Sequence, residues 1–217
     1  MTTAAETVAL ADTAGTGVVR CSTPGAVTAL RAATRRCHER LDAGLAEVLA
    51  ALDVATYADH LRRQAILIAP LEDAVAAAVA DDAALHVAVD ARRRAALLVV
   101  DRRRLADDHS TEPGIAEPEH GGSAVVPALA SIPAALGAWY VLEGSTLGGR
   151  VVTRLVRDAL GSDAPVDFLS SGGADVVARW AQTRALLAAR LVTETDVAVA
   201  VAAATAVFGA FTEVLLP

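Results

Sequence analysis

The sequence predicts an all-α protein, and three observations carry that prediction. Apolar residues recur at steps of three and four along most of the chain, the spacing of one helix face. The apolar share is 54%, with aromatic residues at only 3%, and much of it is Ala and Leu, which are strong helix formers. No stretch of convincing length alternates apolar and polar residues as a half-buried strand does, and no internal repeat is present.

The elements follow in order. Residues 1–24 are small, polar and Gly/Thr-rich, without a sustained period, and predict a mobile extension ahead of one helical domain over residues 25–217. A helix starts near Gly25, with Leu30, Thr34, Leu41, Leu45 and Val48 on its buried side and Arg31, Arg35, Arg36, Glu39 and Arg40 interleaved. Asp53 or Thr56 can cap the next helix, which runs through Tyr57, Leu61 and Ile68 until Pro70 kinks or breaks it. A further helix is expected over about Ala91–Ala106. Between Asp107 and Ala130, Pro113, Gly114, Pro118, Gly121, Gly122 and Pro127 predict the main loop. Ser131 then serves as an N-cap with Pro133 in the first turn, and the helix continues to about Leu160, where Gly161 can end it. Two helices follow, over about Gly173–Val192 and Glu194–Leu215.

Bulk properties exclude some functions. The net charge of -7 argues against nucleic acid as a partner, because phosphate binding needs concentrated basic surface. The runs Arg92–Arg94 and Arg102–Arg104 read first as solvated helix faces, and second as a docking patch for an acidic electron donor. Cys21 and Cys37 have no metal-ligand spacing, and a reducing, cytoplasmic setting fits them. The N-terminus lacks the pattern of a signal peptide. The apolar run Val197–Phe211 is short for a bilayer and reads as a core helix, so no membrane partner is expected.

Residues 137–150, GAWYVLEGSTLGGR, are the most informative. Gly144, Gly148 and Gly149 fall inside the predicted helix, and three interior glycines cost roughly 3 kcal/mol relative to alanine. Gly144 and Gly148 share one face. Two explanations compete: close packing on a neighbouring helix, or a bare face that another body approaches.

Tyr140–Arg150, YVLEGSTLGGR, resembles the distal-helix signature of the heme oxygenases, in the bacterial branch associated with phytochromes. Leu30–Asp42, LRAATRRCHERLD, resembles the proximal helix of the same family, and the order and separation of the two segments agree. The resemblance covers about Leu30 to the C-terminus. It implies a single helical domain with heme held between the two helices. It also implies oxidation of heme to biliverdin, carbon monoxide and ferrous iron by O2, with electrons from a ferredoxin or a reductase, and a bacterial phytochrome as a possible acceptor of biliverdin.

The resemblance also assigns residues. His38 becomes the iron ligand, against the ordinary reading of a helix histidine as a solvated side chain. Asp42, four residues on, can accept a hydrogen bond from the other ring nitrogen and fix the tautomer; the family usually has the longer Glu there, and pairing with a surface Arg is the alternative. Arg31 lies about 10 Å before His38 on the same side, where the family has a basic residue for a heme propionate; a solvated Arg is the alternative. Thr34 flanks His38 on the heme-facing stripe. Cys37 is turned about 100° from His38 and reads as packing.

On the distal side, Gly144 and Gly148 are the catalytic wall, leaving room for backbone contact and ordered water, and Gly149 completes the heme-contacting glycines. Ser145 stands where the animal branch has an Asp that organises water; a hydroxyl can hold water but cannot buffer a proton in the same way. Glu143 reads mainly as a surface residue. Arg154 is a second candidate for a propionate, and Arg179, Arg184 and Arg190 are further ones. Two rivals to the enzyme remain: a carrier that binds heme without cleaving it, and a scaffold of the same fold without heme.

Overall fold

The computed structural model describes residues 25–109, 126–171 and 173–216. The expected 1–24 extension, Cys21 and most of the 107–130 loop lie outside the described residues. Among those described there are seven helices and no strand: α1 Ala26–Val48, α2 Val54–Ala78, α3 Ala83–Asp90, α4 Ala95–Asp108, α5 Ile132–Leu160, α6 Val176–Arg190 and α7 Glu194–Leu215. The all-α prediction holds.

Local chemistry sets most helix ends. The Asp53 side chain accepts from the Thr56 N–H, Asp82 from Leu85, and Ser131 from Ala134. Thr193 and Asp196 form a capping box at the start of α7. Gly161 ends α5 at φ 99, a backbone region that favours glycine. Pro70 does not break α2, which continues to Ala78.

The helix expected over about Ala91–Ala106 is α4, Ala95–Asp108; its first four residues are instead a link at 91–94, which follows the short α3 that the sequence reading did not separate. The reason is tertiary. The Glu72 carboxylate on α2 accepts from the backbone N–H of Arg94 (2.9 Å) and Ala95 (3.2 Å), and so caps α4 from outside. Arg94, only 5% exposed, is the N-cap residue. The reading of Arg92–Arg94 as a solvated face therefore fails for Arg92 and Arg94 and holds for Arg93, which is exposed.

α7 is the hub: it packs on α1, α2 and α5. Ala200, Ala204, Val207, Phe208, Phe211 and Leu215 are its buried residues. At 22 residues it is long and apolar enough to cross a membrane by length and composition, a longer element than the Val197–Phe211 run, and three helices rest on its inner side. α6 touches both α1 and α5, while α1 and α5 are not among the closely packed pairs. Two helices thus flank α7 without closing on one another.

Candidate functional site

The candidate site is drawn from α1 and α5, both of which pack on α7. On α1, Leu30, Thr34 and Leu41 are buried, and at 100° per residue His38, Arg31 and Asp42 fall on one flank of that stripe. The His38 side chain is 60% exposed, and its Nδ1 lies 2.9 Å from the Asp42 carboxylate. The contact expected of Asp42 is therefore direct. Its consequence is that Nδ1 is engaged while Nε2 remains open. The ring meets Phe208 of α7 edge-on, with centroids 5.9 Å apart. Arg31 is exposed, without an ion-pair partner among the described residues. Thr34 turns inward, and its hydroxyl donates to the Leu30 carbonyl at 2.8 Å. Cys37 is half-buried on the opposite flank, where it lines a groove of about 860 Å³ with Arg40, Gly44, Thr205 and Gly209.

On α5 the glycines divide into two kinds. A Cβ on Gly137 would lie 2.1 Å from the carbonyl oxygen of Ala200 on α7, so here the two backbones touch. Gly144 and Gly148 follow at seven and eleven residues, within about 20° of the same direction. A Cβ on Gly148 would meet nothing within 4 Å, and one on Gly144 only the edge of Trp180 at 3.7 Å. Close helix packing explains neither. The face that contacts α7 at Gly137 runs on into open space, on the α7 side of α5 where α1 also lies. Val151 and Leu155, further along, are exposed apolar residues.

Gly149 is different. It is buried, and a Cβ there would sit 2.4 Å from the Leu169 carbonyl oxygen. Its glycine is required by the 161–171 segment and turns away from the bare face, which replaces the ligand contact expected of it. That segment is itself pinned. Asp101 of α4 accepts from the Asp167 and Phe168 N–H groups (3.0 and 2.8 Å), and the Tyr57 hydroxyl donates to the Pro165 carbonyl at 2.6 Å.

Behind α5 lies a polar cluster that sequence reasoning missed. Glu143, expected at the surface, is 3% exposed. Its carboxylate accepts from Arg179 (2.6 and 3.0 Å), from Arg92 (2.8 Å) and from the Thr183 hydroxyl (3.3 Å). Burial pushes the carboxyl upward, but Arg179 and Arg92 outweigh it and hold the group below its ordinary value. Beside it, the Arg94 guanidinium lies 4.5 Å from the centre of the Phe168 ring and donates to the Leu142 carbonyl (3.1 Å) and the Ser145 hydroxyl. Ser145 donates in turn to the Leu142 carbonyl at 2.8 Å. One signal was legible: Trp139 and Thr146, the helical neighbours of Glu143 at four and three residues, are buried with it.

The remaining arginines sort themselves. Arg179 is committed to Glu143, and Arg190 to Asp82 at 2.6 Å. Arg154 and Arg184 are exposed and have no ion-pair partner among the described residues. Among those residues, no three His, Cys, Asp or Glu side chains gather as a metal site.

A family profile described as heme oxygenase matches residues 25–216, all seven helices included. The chain belongs to the heme oxygenase family. Heme degradation is the general function of that family, and heme its ligand. A search of curated proteins gave no match, and a search of solved structures gave none either.

Proposed function

We propose that this chain is an active heme oxygenase, opening heme to biliverdin with release of carbon monoxide and ferrous iron. His38 ligates the iron, and the Gly144–Gly148 face forms the opposite wall. The observation that carries this reading is the direction of the bare face: it continues the line of Gly137 toward α7, beside which the His38 ring also stands. The residues suit the group. His38 offers an accessible imidazole with one nitrogen held by Asp42, and Gly148 leaves the space a Cβ would fill.

Bound heme supplies the iron at which O2 is activated; the protein supplies binding, orientation and access for protons. Asp42 fixes the ring orientation and tautomer of His38. Arg31 and Arg154 hold the propionates as exposed, unpaired cations on the two helices, and Arg184 is a third candidate on α6. The missing Cβ atoms let the α5 backbone approach the macrocycle and leave room for water. Electrons come from a ferredoxin or a reductase, in a cytoplasmic setting, and a bacterial phytochrome is a consumer of the product that the resemblance implies.

One observation favours the carrier instead. The Ser145 proton is already given to the Leu142 carbonyl, so this side chain has none to deliver. Hemin titration followed by reduction separates the readings. The proposed enzyme gives a sharp Soret band with a defined midpoint, and ascorbate or ferredoxin with its reductase converts the complex to biliverdin. A stable Soret band under reduction supports the carrier. His38→Ala is expected to abolish turnover while the circular dichroism of the chain is unchanged, and full turnover in that variant sinks the ligand assignment.

A further inference from the structure

We infer that Arg94 is a positioning residue for the bare face of α5, orienting the Ser145 hydroxyl as an acceptor toward the cleft and setting a fixed positive charge behind it. The inference rests on the reading of that face as a heme wall. A serine hydroxyl has one proton and two lone pairs. The proton goes to the Leu142 carbonyl, and one lone pair takes the Arg94 N–H. One lone pair remains, so a water meeting Ser145 from the cleft donates to it and keeps its own oxygen turned outward.

Burial disfavours the guanidinium's charge more than the nearby Glu72 and Glu143 carboxylates favour it. Both oxygens of Glu72, from α2, are occupied by the backbone N–H groups of Arg94 and Ala95. Glu143, on α5, is occupied by Arg92, Arg179 and Thr183. Arg93, in the α3–α4 link, pairs with Asp73, and Arg179 adds a like charge from α6. Among the described residues the Arg94 guanidinium bonds to the Leu142 carbonyl and the Ser145 hydroxyl of α5, and it lies over the face of the Phe168 ring. An apolar side chain would fill this position without the desolvation penalty of a buried charge. What the guanidinium adds is two directed donors and a charge, both applied to the α5 turn that carries Gly144 and Gly148.

The test compares wild type, Arg94→Met, Arg94→Lys, Ser145→Ala and the Arg94→Met/Ser145→Ala double variant as ferric heme complexes. The readout is the pH midpoint of the change in visible spectrum that follows deprotonation of water in the cleft. The unfolding temperature of each heme-free protein is measured alongside. Arg94→Met is expected to raise the midpoint by roughly one pH unit, because losing a nearby positive charge disfavours the anionic form. Arg94→Lys restores part of the shift. Ser145→Ala gives a smaller shift in the opposite direction, because it removes an acceptor that stabilises the protonated water, and the double variant departs from the sum of the two. A lowered unfolding temperature with an unmoved midpoint makes Arg94 a packing residue and overturns the inference. If Arg94→Met does not fold, an unmoved midpoint in Ser145→Ala, which keeps the Arg94–Leu142 bond, overturns it equally. Absence of a Soret band in wild type overturns the heme reading as well; a normal band with unaffected variants overturns this inference alone.

Discussion

Gly148 and Gly149 are neighbours in sequence and are expected to respond with opposite sign to the same substitution. At Gly148 an alanine Cβ meets nothing within 4 Å. Replacing an interior helical glycine there recovers about 1 kcal/mol of helix propensity. For a domain of this size that raises the unfolding temperature of the heme-free protein by roughly 2–4 °C. At Gly149 the same Cβ lies 2.4 Å from the Leu169 carbonyl oxygen and 3.3 Å from its carbon. The obstruction is backbone, on a segment anchored by Asp101 and Tyr57, so it cannot swing aside as a side-chain tip would. Overpacking of this kind costs about 1–3 kcal/mol. The propensity gain of about 1 kcal/mol offsets part of it, leaving a net loss of up to about 2 kcal/mol and a fall of up to roughly 8 °C.

Function is expected to run against stability in this pair. Gly148→Ala, the more stable protein, puts a methyl on the bare face, and so weakens hemin binding or changes the ring-opening product. Gly149→Ala, where it folds, retains hemin affinity, because its methyl points away from that face. Differential scanning calorimetry of the heme-free proteins and Soret titration of each supply the measurements. If Gly148→Ala lowers the unfolding temperature as Gly149→Ala does, the open space beside Gly148 is not there. If it is stabilising but leaves affinity and product untouched, the face is no ligand wall.

Two further outcomes concern the core. Glu143→Ala strands Arg92 and Arg179, whose side chains are only 16% and 19% exposed, and is expected to cost about 3–5 kcal/mol in urea denaturation; a loss under about 1 kcal/mol refutes the cluster as a structural bolt. Because the Glu143 carboxyl is held below its ordinary value of 4.5, its contribution is present above about pH 4.5 and fades as the pH falls below it. His60 is buried, and burial lowers it from 6.5 to about 4. The folded protein thus resists its protonation, and stability from this group is full above about pH 6.5 and declines toward pH 4 by up to about 3 kcal/mol. His60→Leu is expected to flatten that part of the stability–pH curve, and an unchanged slope refutes the assignment.

What was legible in the sequence was local. Ser131 and Gly161 act within one turn of their own positions, so the ends of α5 could be read from the chain. The pairing of His38 with Asp42 is an i, i+4 contact and was legible for the same reason. The break between α3 and α4 was not, because its cause is Glu72, more than twenty residues away on another helix. Glu143 looked like a surface residue because its partners lie 51 and 36 residues away. The glycines were half legible: spacing put Gly144 and Gly148 on one face, but only the position of Leu169 shows that Gly149 serves packing.

These differences meet in α5. A helix with three interior glycines over six residues is a weak helix, and one with an empty side at Gly148 gains little packing to compensate there. The compensation comes from behind: Glu143 is bolted to α6 and to the α3–α4 link, the Leu142 carbonyl and Ser145 are held by Arg94, and Gly149 is pressed on the pinned 161–171 segment. The polar cluster and the bare face are therefore one device. The first makes it possible for the second to stay empty without the helix losing its shape, which is what a wall needs if a flat ligand is to approach its backbone closely.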